Sequence, residues 1–309
     1  MSNLHRLLGV GVAVLWGINF LALHASLQQF PPFLLVAIRF AVLAIPTILF
    51  IPFPQARLRW LIGYGIGFGT LQFAFLFLAM DTGMPTGLAS LILQSSAPFT
   101  VLLGATWLKE KLNRNQVIGI CTAVGGLALV GTQQAGTAAM IPFLLTLCAG
   151  LGWAFGNLCS RQAHPPNPVH LTLWISVVPP LPMLALSLLL EGPGRIADSF
   201  TTLATPVGIW ALIGLAYTVV LGTVVGTGAW TWLMSRYPAS RVAPFSMLVP
   251  VVGLSSAWLV LGETVNWIEL LGGAVIVAGV LFGSRAGRGP TSAERPAVAP
   301  PISSGPVAT

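Results

Sequence analysis

Apolar residues run through this chain in ten blocks of about twenty, each closed by a few polar, proline or glycine positions. The blocks fall near residues 7–27, 33–52, 61–80, 86–108, 115–132, 139–160, 169–190, 207–234, 242–261 and 267–284. A helix rising 1.5 Å per residue needs about 20 apolar residues to cross the roughly 30 Å hydrocarbon core of a bilayer, so each block predicts one crossing. Backbone amides in hydrocarbon must bond within their own segment, and the blocks lack the alternation of a membrane barrel. The predicted fold class is therefore an all-α integral membrane protein with ten transmembrane helices. The first block is too long for a signal-peptide core and lacks a small-x-small cleavage site, so it reads as a retained span.

Composition removes whole classes of function. Of 309 residues, 55% are hydrophobic and 7% charged, whereas about a quarter of a soluble domain is charged. A soluble enzyme, a nucleic-acid-binding module and a secreted disulfide scaffold are excluded, leaving membrane lipid as the solvent. The net charge of +7 forms no continuous basic face for nucleic acid. If ten spans alternate, Arg6, Arg57, Arg59, Lys109, Lys111, Arg114, Arg161, Arg236, Arg241, Arg285, Arg288 and Arg295 share one side, with Arg195 alone on the other. By the positive-inside rule both termini of this multi-pass chain are expected in the cytoplasm. Cys121, Cys148 and Cys159 form no Cys-x-x-Cys pair and are expected to be small buried residues, so no metal site or cofactor is expected. Residues 286–309, rich in Pro, Gly, Ala and Ser, are expected to be a disordered cytoplasmic tail.

The chain repeats itself. A shift of 153 aligns Pro85 with Pro238, Glu110 with Glu263, Asn113 with Asn266, Gly119 with Gly272 and Gly126 with Gly279, while a shift of 137 places Trp16 on Trp153. The difference falls at a longer loop, "EGPGRIADSF", in the second half. Two five-helix halves result, 1–134 and 138–285, and because five is odd they have opposite orientation. Such inverted-topology repeats suit a carrier that alternates between two equivalent openings.

Polar groups inside spans are costly and point to a cavity or a partner. Arg39 is the only charge well inside a span. One reading is recognition of a carboxylate by the guanidinium fork; the other is a structural, snorkelling arginine. Asn19 and Asn157 stand at nearly matching places in the two halves, and Gln72, Gln94, Ser95 and Ser96 add uncharged polar groups near mid-depth. Each serves either a cavity or a helix–helix hydrogen bond worth about 1 kcal/mol. Trp16, Trp153, Trp174 and Trp258 lie inside spans, where they wall that cavity, face lipid or pack in the core. Pro98 and Pro250 interrupt spans four and nine and are expected as hinges, and Pro179, Pro180 and Pro182 break span seven. The pairs Gly63 with Gly67, Gly65 with Gly69, and Gly222 with Gly226 fit close helix contact, not a phosphate loop. No Asp or Glu stands at mid-membrane to relay protons, and no hydrolase motif is present, so no catalytic residue is assigned.

The stretches "WGINF" at 16–20, "PPFLLVAIRF" at 31–40, "LIGYG" at 61–65, "QFAFLFLAM" at 72–80, "GMPTGLASLILQ" at 83–94 and "RVAPFSMLVPVVGL" at 241–254 resemble the EamA branch of the drug/metabolite transporter superfamily. The resemblance implies two inverted five-helix repeats and efflux of a small amino-acid-like metabolite, such as cysteine or O-acetylserine, from the cytoplasm across the cell inner membrane. It adds Ser246 to Asn19, Arg39, Gln72, Gln94 and Asn157 as cavity residues. Rival readings are a carrier of nucleotide sugars or lipids, which would favour more basic groups, and a non-transporting receptor or scaffold, for which the loops are short.

Overall fold

The computed structural model describes residues 1–134, 139–237 and 239–283; the predicted tail at 286–309 lies outside them. Within the described residues nine helices are long and apolar enough to span a bilayer: α1 (Asn3–Leu27), α2 (Pro32–Phe50), α3 (Leu58–Asp81), α4 (Thr86–Trp107), α5 (Arg114–Gln134), α6 (Met140–Ala163), α7 (Pro168–Thr201), α8 (Pro206–Met234) and α9 (Pro244–Leu261). A shorter apolar helix, α10 (Trp267–Gly283), completes the ten. The lipid belt is written on the outside: Ile45, Leu49, Leu189, Trp258 and Leu259 are 61–79% exposed. Such apolar exposure would drive aggregation in water and is natural against acyl chains.

The repeated asparagines turn out to be helix caps. Asn113 Oδ1 accepts from the Gln116 N–H while Gln116 Oε1 accepts from the Asn113 N–H, both at 2.9 Å. At the start of α10, Asn266 Oδ1 accepts from the Ile268 N–H at 3.1 Å, and Glu269 Oε2 accepts from the Asn266 N–H at 2.9 Å. Both are reciprocal boxes that satisfy otherwise orphaned amides. The repeated glycines make the crossing of α5 and α10. A Cβ on Gly119 would meet the Gly279 carbonyl oxygen at 2.6 Å, and one on Gly126 the Gly272 oxygen at 2.6 Å. These two contacts exchange with each other when each residue is replaced by its repeat partner, the signature of a two-fold relation between oppositely directed halves.

Helices α3 and α8 carry π-helical stretches, Gly65–Leu71 and Thr218–Thr227, which begin at equivalent positions under the 153-residue shift. Each widened turn accepts a close neighbour. A Cβ on Gly67 would strike the Gly156 amide nitrogen of α6 at 2.5 Å, and one on Gly222 would meet Asn19 Oδ1 of α1 at 2.8 Å. Gly65 and Gly69 face Val178 and Pro179 of α7 in the same way. The expected proline breaks are visible: α4 passes through a 3₁₀ turn at Leu93–Ser95 before Pro98, and α9 has a non-helical Met247 before Pro250. Each proline lacks the N–H that would bond the carbonyl four residues back, at Gln94 and Ser246 respectively.

Two expectations need correction. The segment expected as a long loop is a helix, Gly192–Thr201, because Pro193 fits a first turn and the apolar Ile196 and Phe200 share one face. Phe200 meets Phe30 edge-on at 6.0 Å between centroids, and Gln29 Nε2 donates to the Ser199 carbonyl at 2.6 Å. Of the three cysteines only Cys159 is buried, while Cys121 and Cys148 lie on outward faces; a small apolar thiol is as much at home against lipid as in a core. Of the roles open to Trp258, the structure gives it the lipid-facing one.

Candidate functional site

Eight helices converge on one cavity of about 360 Å³. Its lining comes from α1 to α4 in the first half and α6 to α9 in the second, whereas α5 and α10, which cross each other, contribute nothing. The site thus lies between the halves. Trp16 and Trp230 form one aromatic wall at 5.2 Å between ring centroids, and Phe68 with Trp153 another at 5.9 Å. The Trp16 indole donates to the Gly222 carbonyl at 2.9 Å, a group in the widened turn of α8, which ties α1 to α8.

Arg39 is the electrostatic centre. It is 5% exposed, and its Nη2 donates to Thr223 Oγ1 across the cavity at 3.1 Å. The guanidinium carbon stands 3.9 Å from the centroid of Phe73 and 5.3 Å from that of Phe40, so two ring faces share its charge. Nε and Nη1 have no hydrogen-bond partner among the described residues. A buried cation with two unmade donor sites is expensive in a medium of low dielectric. The fork matches the two oxygens of a carboxylate.

Acceptors and amides complete the lining. Asn19 Oδ1 and Gln72 Oε1 are buried and unpartnered among the described residues. Asn157 Nδ2 donates to Thr100 Oγ1 at 3.2 Å, and Gln94 Nε2 approaches the Met247 sulfur at 3.6 Å. Asn19, Arg39, Gln72, Gln94, Asn157 and Ser246 all line the same cavity, together with Trp16 and Trp153.

Two residues of the expected set stand elsewhere. Ser95 is fully buried with its hydroxyl turned onto Gly150 of α6, so it packs helix on helix. Trp174 donates its indole N–H to the carbonyls of Ile51 and Pro52 at 3.1 and 3.0 Å and stacks edge-on with Phe53, anchoring the α2–α3 link. Its neighbours Thr172, Leu173, Ile175 and Ser176 take the cavity face. Pro98 and Pro250 are likewise absent from this lining. Sequence reasoning missed Tyr64, Thr223, Thr227, Trp230 and Thr231. The four-residue spacing of Thr223 and Thr227 on an apolar helix was a usable signal, masked by the glycines between and beside them.

Carboxylates seal helix starts at the end of the bundle opposite the basic loops. Glu263 accepts from the Thr86 and Gly87 amides at 2.8 and 2.9 Å. Glu191 accepts from Phe33 and Leu34 at 2.7 and 3.1 Å, and from the Ser187 hydroxyl at 2.6 Å. At the basic end, the repeat partner Glu110 pairs instead with Arg161.

The EamA-like transporter family model matches residues 4–132 and 140–285, one match to each half. The chain is 42% identical over 297 residues to a protein of Salmonella typhimurium named "Probable amino-acid metabolite efflux pump", covering 93% of this chain and 98% of that one. It is 39% identical to the protein of the same name in Escherichia coli K12, covering 92% and 97%. A "Probable terminal-alkyne amino-acid exporter" of Streptantibioticus cattleyicolor is 27% identical over 210 residues, 66% of each chain. One solved crystal structure superposes with a TM-score of 0.59 at 20% identity, over 91% of this chain and 96% of the other, a likeness of fold.

Proposed function

This chain belongs to the EamA-like transporter family, and on that premise we propose that it exports small amino-acid-like metabolites, cysteine, O-acetylserine or their relatives, across the bacterial inner membrane. It is a transporter and not an enzyme. Cargo enters the cavity between the halves, and its carboxylate pairs with the Arg39 guanidinium. The observation that carries this reading is the buried guanidinium with two unpartnered donor atoms, at the meeting point of eight helices from both halves. The names of the two relatives near 40% identity support the cargo class.

Access alternates by rocking of the halves, with cytoplasmic termini and with bending at Pro98 and Pro250. Equivalent architecture in two opposite orientations supports that motion, since the inward-open and outward-open states are then built from the same contacts. A nucleotide-sugar carrier would need further basic groups for its phosphates, and among the described residues Arg39 is the only one lining the cavity. Expression in a host challenged with cysteine, O-acetylserine and a panel of amino acids should lower intracellular cargo and raise tolerance. Unchanged accumulation across the whole panel would sink the assignment.

A further inference from the structure

Glu263 and Glu110 are repeat partners, yet they are engaged differently. Glu263, on the link between α9 and α10, accepts from the Thr86 and Gly87 amides at the start of α4. A carboxylate of the second half thus caps a helix of the first, at the end opposite the basic loops. Just inside this cap α4 and α9 meet closely. A Cβ on Gly87 would stand 3.1 Å from the Leu254 Cα and 3.3 Å from the Ala257 Cβ, and the Ser90 side chain fills the space over Gly253.

Exchanging each residue for its partner at the 153-residue shift writes out the two-fold equivalent for the basic end. Glu110 would cap residues 239 and 240, at the start of the helix Ala239–Ser246 that opens α9, and residue 240 would pack on Val101 and Gly104. The structure holds another arrangement there. Glu110 pairs with Arg161 of α6, and its Oε2 lies 2.6 Å from where a Cβ on Gly104 would stand, so the ion pair covers the face of α4 that the exchanged contact needs. Val101 borders a second cavity of about 230 Å³, between α4, α5 and α10.

Arg161 has a counterpart as well. The shift of 137 that places Trp16 on Trp153 places His24 of α1 on Arg161. His24 Nδ1 shares a 3.3 Å hydrogen bond with Thr86 Oγ1, while Glu263 accepts from the backbone amide of that same residue at 2.8 Å. The imidazole therefore stands beside the seat that Glu263 occupies.

We propose, resting on the exporter reading above, that Glu263 and Glu110 are alternating latches of the transport cycle. In the conformation seen here Glu263 caps α4 and shuts the outer mouth, while Glu110 is parked on Arg161. In the opposite conformation Glu110 caps the helix Ala239–Ser246 and shuts the cytoplasmic mouth, and Glu263 is parked on His24. Each latch trades two first-turn amides for one side-chain partner. The two states then hold the same set of interactions, which keeps both within reach of a cycling carrier.

The test reads which mouth opens. In the full chain with its native cysteines changed to alanine, Ser90→Cys sets a thiol in the cavity wall beneath the Glu263 cap, at a position 1% exposed. A membrane-impermeant maleimide added to intact cells reaches it only through the outer mouth. Because a two-amide cap outweighs a half-exposed ion pair, Glu263→Gln should raise this labelling rate about tenfold and Glu110→Gln should lower it by a similar factor. His24→Arg, which gives the outer end the partner that Arg161 gives the inner, should raise it about threefold, and that rise should vanish in the Glu263→Gln background. If the two glutamine variants label alike or shift in the same direction, or His24→Arg acts equally without Glu263, the latches are overturned. Should Glu263→Gln fail to reach the membrane, opposite shifts from Glu110→Gln and His24→Arg support the proposal, and any other pattern overturns it. Labelling needs no cargo, so opposite shifts in cells that export none of the amino-acid panel would remove the cargo assignment and leave the latches standing.

Discussion

Replacing Arg39 by Gln separates a ligand-binding arginine from a structural one, because the two roles predict opposite balances of stability and flux. For folding, the substitution loses one hydrogen bond with a charged donor, Nη2 to Thr223 at 3.1 Å, worth about 1.5–3 kcal/mol. It also loses the stacking of the cation on Phe73 and Phe40, worth about 2 kcal/mol when desolvated. Against this, burying Nε and Nη1 unpaired costs about 1–3 kcal/mol each, and that cost disappears with the charge. The two sums cancel to within a few kcal/mol, so the folded state should be little changed. For transport, two charge-assisted hydrogen bonds to a carboxylate vanish, about 1.5–3 kcal/mol apiece. The affinity for cargo should fall between about a hundredfold and ten-thousandfold. Thermal unfolding in detergent and efflux from proteoliposomes, measured on the same preparation, read the two quantities. A clear drop in unfolding temperature, or efflux at the wild-type rate, would refute the reasoning.

Further outcomes follow from other parts of the fold. Gln94→Glu adds a carboxylate to a cavity whose described lining has no acidic residue, and should slow efflux of a carboxylate-bearing cargo from proteoliposomes. Gly126→Ala drives a methyl group into the Gly272 carbonyl at 2.6 Å and should lower the unfolding temperature, whereas Gly125→Ala, with nothing within 4 Å of its Cβ, should raise it slightly through about 1 kcal/mol of helix propensity. Glu263→Gln should destabilise more than Glu110→Gln in thermal melts, because Glu263 caps two backbone amides while Glu110 shares a half-exposed ion pair. Asn113→Ala, which removes a cap from α5, should cost about 1 kcal/mol in the same melts.

The span pattern was legible because a bilayer imposes one ruler on every helix, and the halves were legible because caps and crossing glycines recur at a fixed shift. The α5–α10 contact could be anticipated as glycines in helices, but not as partners, since sequence gives no distance between one repeat and the other. Six of the eight proposed binding residues share a cavity, and they are the ones costly to leave against lipid: an arginine, two asparagines, two glutamines and a serine beside a proline break. Ser95 and Trp174 went elsewhere because a serine is readily buried against a glycine and an indole N–H is satisfied by any nearby carbonyl. The widened turns of α3 and α8 left only a hint, a crowding of small residues, and their register became apparent only when the helices packing into them were in view.

The meeting of α5 with α10 has a consequence for how such a machine could have arisen and how it must move. Gly119, Gly126, Gly272 and Gly279 lie backbone to backbone, with no side chain to slide and no room for one. That makes the pair a rigid joint between the two halves. An ancestral protein of five helices would have made this same joint with an inverted copy of itself, so every glycine in it would have served on both sides at once.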